Sequence, residues 1–145
     1  MPAARRTLTL ARILIGIVTF FNLQCAFAFL VSPASYAPAF EVSGLPGASL
    51  VSALGILFLM WNVPYLFALY HPVRQRTSLI QAVIMQTIGL VGESILYFNT
   101  PAVHALLRQT ALRFILFDGM GLVLLMGALW IVPKPPADTD CGTFS

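Results

Sequence analysis

Four long, uninterrupted apolar stretches constrain the fold of this chain more than any other feature of its sequence. They cover residues of about 8–31, 50–70, 78–98 and 110–132. Each has roughly the 20 residues that a helix needs to cross a hydrocarbon core of about 30 Å. The stretches are continuous and do not alternate in polarity, which predicts helices and not the strands of a membrane barrel. The sequence therefore predicts an all-α, antiparallel bundle of four transmembrane helices.

The composition agrees with a membrane protein. Of the 145 residues, 59% are hydrophobic and only 9% are charged, whereas soluble proteins carry about 25% charged residues. The net charge of +3 is too small to indicate nucleic-acid binding. The sequence also lacks the basic face with interleaved aromatic residues that such binding would need. We expect one membrane domain over residues 1–134, followed by a flexible polar tail over residues 135–145.

The distribution of Arg and Lys predicts the orientation. If the N-terminus is inside, six of these residues lie on the inner side and two on the outer side. The inner set is Arg5, Arg6, Arg12, Arg74, Arg76 and Lys134, and the outer set is Arg108 and Arg113. Positive residues favour the cytoplasmic side, so we expect a multi-pass protein of the plasma membrane with both termini in the cytoplasm.

The first apolar stretch has a second interpretation. Arg5 and Arg6 precede it, and Ala26-Phe27-Ala28 loosely resembles the cleavage site of a signal peptide. Cleavage there would leave three spans. The apolar run continues to Val31, which favours a helix that stays in the membrane.

The segment between the first two spans, residues 32–49, predicts a lid that folds back on the outer end of the bundle. It contains three prolines and two glycines, but also the apolar residues Tyr36, Phe40, Val42 and Leu45. A solvated linker would be more polar. A mobile loop is the alternative interpretation.

Charged residues inside the spans indicate where a site would lie. A charge at membrane depth is unfavourable by at least a few kcal/mol, yet Glu93 and Asp118 fall within the third and fourth spans. Arg113 is expected at the depth of Glu93, which predicts an ion pair between them. Asp118 lies about 140° around the helix from Arg113. It is therefore expected to be protonated or to bond one of three amides, those of Gln86, Asn22 and Asn62.

The third span also carries an inward-facing stripe. Its residues are Ala82, Gln86, Gly89, Glu93 and Tyr97, at helical spacings of four, three, four and four. In the second span, Pro64 predicts a kink beside Asn62. The candidate binding cluster consists of Glu93, Arg113, Asp118, Gln86, Asn62 and Asn22.

No catalytic residue, metal site or cofactor is predicted. The sequence has no nucleophile elbow and no phosphate-binding glycine loop. His71 and His104 are expected on opposite sides of the membrane, without Cys or His neighbours at ligand spacing. The polar cluster then has three interpretations: interhelical hydrogen bonds that only stabilise the bundle, a pocket for a quinone-like or lipid ligand, or a path for protons or ions.

A family resemblance adds to these interpretations. Arg12 at the start of the first helix, and then Pro33, Tyr36, Phe40, Gly44, Leu45 and Pro46 before a second glycine-bearing helix, resemble the DoxX-like superfamily of small four-helix membrane proteins. The resemblance implies an integral membrane accessory subunit or a redox-linked protein, in some members associated with quinone-reducing complexes. It assigns no catalytic residue to this chain.

The resulting expectation is an accessory or assembly subunit of a larger membrane complex, and a redox link of that complex is among the roles that the resemblance implies. The alternative is a binding protein or enzyme for a hydrophobic small molecule, such as a quinone, at a polar pocket in the outer leaflet. A transporter is the third class. The expected partners are the lipid bilayer, other membrane subunits or a second copy of the chain, and a quinone or lipid ligand.

Overall fold

The structure, a computed structural model, describes residues 2–134, so the predicted tail over 135–145 lies outside the described residues. The elements are α1 (Pro2–Val31), α2 (Pro33–Tyr36), a 3-10 turn (Ala37–Phe40), α3 (Gly44–Trp61), α4 (Val63–Tyr70), α5 (Arg76–Asn99) and α6 (Ala105–Ile131). Four segments are long and apolar enough to cross a membrane: Arg6–Val31, Gly44–Tyr70, Arg76–Asn99 and Ala105–Ile131. The predicted all-α bundle of four long helices is confirmed.

The helices extend beyond the predicted apolar stretches. The fourth begins at Ala105 and not near residue 110, because the polar residues Arg108 and Gln109 interrupt the apolar pattern after its first turn. The second begins at Gly44, whose φ of 67° lies in the left-handed region that glycine adopts without penalty. Hydropathy thus located each span but not its polar ends.

The second span is broken at Asn62, beside the proline that predicted a kink. Helix α3 ends at Trp61 and α4 begins at Val63, with Pro64 in its first turn. Proline has no N–H to donate, so it fits the start of a helix but not its interior. The Asn62 side-chain Nδ2 donates to the Phe58 carbonyl oxygen at 2.7 Å. The same oxygen accepts from the Asn62 backbone N–H at 3.1 Å, so the amide adds a second bond to the last turn before the break.

The break divides the bundle into two unlike ends. Helix α1 packs against α3, α4 and α6, and α5 packs against α4 and α6. In the described chain, α3 makes no comparable contact with α5. We call the end with the α4–α5 loop, the start of α1 and the end of α6 the terminal end, and the opposite end the lid end. The terminal end has a closed core, with Ile15, Leu79 and Leu125 fully buried.

Large apolar side chains cover the outside of the helices. Phe98 is 81% exposed and Trp130 is 91% exposed, and similar exposed residues occur along every span. So much exposed apolar surface is not tolerated by a monomeric protein in water. The structure therefore has the surface of a multi-pass membrane protein.

Two arginines hold helix ends at the terminal end. Arg12 Nη2 donates to the Tyr70 carbonyl oxygen at 3.1 Å. Arg76 Nη1 donates to the carbonyl oxygens of Leu129 at 3.1 Å and Val132 at 2.5 Å. The last carbonyl groups of a helix have no partner within the helix, and basic side chains satisfy them well. These contacts cap α4 and α6.

The lid, formed by α2 and the 3-10 turn, folds over the opposite end as predicted. The Phe40 ring lies 5.8 Å from the Phe29 ring on α1 and 6.4 Å from the Phe114 ring on α6. The Thr110 hydroxyl donates to the Ala39 carbonyl oxygen at 2.6 Å. The lid is thus held by aromatic contacts and by a hydrogen bond to α6.

A charged contact ends the lid. The Glu41 carboxylate pairs with His104 Nδ1 at 2.5 Å and accepts from the Leu107 backbone N–H at 3.3 Å. The hydrogen bond from His104 lowers the pKa of Glu41, and the Leu107 bond adds to this effect. We call this contact between Glu41, His104 and Leu107 the latch. It joins the end of the lid to the start of α6.

The latch predicts a pH-dependent lid. Folding lowers the pKa of Glu41 below its ordinary value of 4.5, so the latch stabilises the folded lid fully when the pH is above 4.5. This stabilisation is lost as the pH falls through the lowered pKa of the folded state. Glu41→Gln should remove the contribution at neutral pH. We expect several-fold faster amide hydrogen exchange in the lid, measured by mass spectrometry. Arg74→Gln, a charge change at the terminal end, is the control, and equal exchange in both variants would contradict the role of the latch.

Candidate functional site

A cavity of about 530 Å³ lies beneath the lid, between α1, α3, α5 and α6. This volume is in the range of small-molecule sites. Aromatic side chains form most of its walls: Phe21, Phe29, Tyr36, Phe40, Phe58, Trp61, Phe114 and Phe117. It lies at the lid end, where α3 and α5 are apart.

The structure brings all the sequence-predicted candidate residues to this cavity. Its lining includes Asn22 from α1, Asn62 at the helix break, Gln86 and Glu93 from α5, and Arg113 and Asp118 from α6. Their proximity is a structural fact, while their role in binding stays a prediction.

A chain of hydrogen bonds forms the floor of the cavity. The Tyr65 hydroxyl donates to Gln86 Oε1 at 2.6 Å, and Gln86 Nε2 donates to Asp118 Oδ1 at 2.8 Å. Trp61 Nε1 donates to the Tyr65 hydroxyl at 3.4 Å. Tyr65 is fully buried and Gln86 is 2% exposed. Both ends of the Gln86 amide are therefore used, and Gln86 is the predicted amide that Asp118 binds.

Two glycines make room for these polar side chains. A Cβ at Gly89 on α5 would collide with Asp118 Oδ2, and a Cβ at Gly121 on α6 would lie 2.6 Å from Gln86 Nε2. The two contacts are reciprocal, since each helix sets a polar side chain over the glycine of the other. Gly89 comes three residues after Gln86 on α5, and its contact Asp118 comes three residues before Gly121 on α6. This opposite order is what antiparallel helices require. The small residues let the helices approach closely.

The predicted ion pair between Glu93 and Arg113 is wrong. Among the described residues, Arg113 forms no ion pair with Glu93. The Glu93 carboxyl lies near that of Asp118, close enough for the two to interact. Arg113 is exposed at the cavity rim, and its long side chain can reach the headgroup level from this depth. Residue counting placed the two residues at similar depths but could not predict the directions of their side chains.

Three buried polar atoms lack a hydrogen-bond partner among the described residues. They are Asn22 Nδ2, Asn62 Oδ1 and Glu93 Oε2, and all three residues line the cavity. The Asn62 amide orientation follows from its bond to Phe58, because only the NH₂ group can donate to a carbonyl oxygen. Leaving a buried polar atom unpaired costs about 1–3 kcal/mol. Such atoms in one cavity indicate that a polar group belongs there.

Sequence reasoning missed the aromatic walls and Tyr65. Phe114 lies four residues before Asp118, on the same face of α6, and this spacing was the available signal. Phe29 and Phe58 carried no such signal, because apolar residues are common on every face of a membrane helix.

Comparisons with known proteins identify no relative. No protein-family model matches the chain, and no curated protein or solved structure is significantly similar to it. The resemblance to the DoxX-like superfamily therefore stays a prediction.

The glycine contacts give a test of the cavity floor. Gly121→Ala should destabilise the bundle by about 1–3 kcal/mol, because the added methyl group overpacks the site of Gln86. Gly92→Ala is the matched control, since a Cβ there meets nothing within 4 Å. The free energy of unfolding would be measured by denaturant titration in mixed micelles. Equal effects at the two positions would show that the helices do not approach as described.

Proposed function

We propose that this protein binds a hydrophobic small molecule with one polar end, in the cavity beneath the lid. The observation that carries this proposal is the set of unpaired buried atoms of Asn22, Asn62 and Glu93 in an aromatic-lined cavity. Binding sites of this kind are largely apolar, with a few polar groups that fix the orientation of the ligand. A quinone, the ligand considered from the sequence, is one molecule of this general shape.

The gap between α3 and α5 supports access from the membrane. The lid covers the end of the cavity, with Tyr36 and Phe40 in its lining. A molecule dissolved in lipid would instead reach Trp61 and Glu93 from the side, where the two helices do not pack together. A hydrophobic ligand is concentrated in the bilayer, so lateral access suits it.

Blocking the cavity tests the proposal. Ala28 lines the cavity, so Ala28→Trp should fill it. Ala53 is exposed on α3 and is absent from the lining, which makes Ala53→Trp the matched control. After purification in a mild detergent, solvent extracts are compared by mass spectrometry. We expect a small molecule that is present in the wild type and in Ala53→Trp but lost from Ala28→Trp.

A fluorescence measurement covers a ligand that is lost on purification. Trp130→Phe leaves Trp61, in the cavity lining, as the single tryptophan of the chain. A short-chain benzoquinone should quench Trp61 saturably, and Ala28→Phe should abolish the saturable component. The proposal fails if the extracts do not differ and quenching is linear in every variant. Matching thermal unfolding of the variants shows that each is folded.

The accessory-subunit role stays a prediction, because lipid alone accounts for the exposed apolar surface. The same purification tests it, since a subunit would retain protein partners in a mild detergent whether or not the cavity is blocked. A transporter role likewise stays a prediction.

We further propose that the protein lies in the plasma membrane with both termini in the cytoplasm, as the positive residues at the terminal end favour. Cysteines introduced as Ser35→Cys in the lid and Gln75→Cys in the α4–α5 loop test this, with both native cysteines replaced by Ala. A membrane-impermeant maleimide should label the first in intact cells and the second only after permeabilisation. The reverse pattern would invert the topology.

A further inference from the structure

We propose that the polar end of the ligand is a cation that donates hydrogen bonds, such as a primary ammonium group, and that it binds between Asn62, Glu93 and Asp118. This inference rests on the proposed small-molecule function and specifies the class of its ligand. It also separates an amine from a quinone or quinol, which would bring a neutral polar end to the same cavity.

The unpaired atoms favour a donor on the ligand. Asn62 Oδ1 is an acceptor on a side chain that is 1% exposed, and Glu93 Oε2 is a second buried oxygen without a partner. Asn22 Nδ2 is the single donor among these atoms, and its side chain already lies near the Tyr65 hydroxyl. A carbonyl-type ligand accepts hydrogen bonds only and would leave both oxygens unsatisfied. An ammonium group has three donors, which is enough for two acceptors.

The carboxyl groups favour a positive charge over a neutral hydroxyl. Glu93 and Asp118 are neighbours, and neither forms an ion pair with Arg or Lys in the described chain. Asp118 Oδ1 already accepts a hydrogen bond from Gln86. Without a ligand, two neighbouring carboxyl groups at this depth share a proton, because two like charges there would repel each other and be poorly solvated. A monocation between them can take the place of that proton.

Arg113 is the basic residue in the described cavity lining, and its position is compatible with a cationic ligand. It lies five residues before Asp118 on α6, or about 7.5 Å along the helix axis toward the lid end. Its side chain is exposed, whereas Asn62 and Gln86 at the floor are buried. The reciprocal contacts of Gly89 and Gly121 place Glu93 about level with Phe114, so the cation would lie between the floor and that level, beside the Phe58 and Phe114 rings.

A matched series of probes tests the inference. The probes are 4-phenylbutylammonium, 4-phenylbutanol and 4-phenylbutyrate, which share one body and differ in the charge of the head. Titration calorimetry in an uncharged detergent gives the affinity, and the heat measured with Ala28→Trp is subtracted to isolate binding in the cavity. We expect the ammonium to bind at least about tenfold more tightly than the alcohol, a difference of about 1.4 kcal/mol, and the carboxylate to bind most weakly.

Substitutions at Glu93 then separate charge from shape. Glu93→Gln should weaken ammonium binding about tenfold while changing alcohol binding little, because a charge-assisted hydrogen bond is lost. Glu93→Asp keeps the charge and should retain most of the preference for the ammonium. Asp138→Asn removes one negative charge outside the spans and is the control for net charge.

Each remaining outcome has a defined meaning. If the alcohol binds as tightly as the ammonium and Ala28→Trp abolishes both, the ligand has a neutral head: the inference falls and the proposed function stands. A preference for the carboxylate would assign the site to Arg113 and also overturn the inference. If no probe gives heat that depends on the cavity, the inference is wrong, and the extracts and Trp61 quenching decide the proposed function separately.

Discussion

The structure depends on how α5 and α6 bury polar side chains in an apolar environment. Gln86 and Asp118 cannot be left unpaired at membrane depth, and each finds its partner on the opposite helix. The bond requires the helices to approach closely, which Gly89 and Gly121 allow. Tyr65 extends the network to α4. Three helices are thereby fixed in register by polar contacts that lipid cannot replace.

Between this floor and the lid, the helices pack differently from those at the terminal end. The break at Asn62 lets α4 remain packed on α5 while α3 stays with α1, so the lid end opens where the terminal end is closed. The cavity follows from this divergence, and the lid covers it without filling it. If the second span were one straight helix, α3 would continue the line of α4 along α5. The space between α3 and α5 would then be expected to close.

The sequence predicted those features that depend on one helix at a time. The four spans and the break near Pro64 follow from hydropathy and from the chemistry of proline, and the lid follows from its apolar residues. Contacts between helices were harder to predict. The depths of Glu93 and Arg113 followed from residue counts, but their relative directions depend on how the helices are rotated about their axes. The cavity depends on all these rotations together, so its unpaired atoms could not be predicted, and among its aromatic walls only Phe114 had a signal in the sequence.

Arg12 and Arg76 belong to the residues whose charge predicts the orientation of the chain, and both also bind the carbonyl groups that end α4 and α6. Insertion and tertiary packing are therefore coupled through the same guanidinium groups. Reversing the charge bias to flip the molecule would also fray two helices. A designer who wished to reorient this bundle would need to add basic residues at the lid end and leave these two arginines in place.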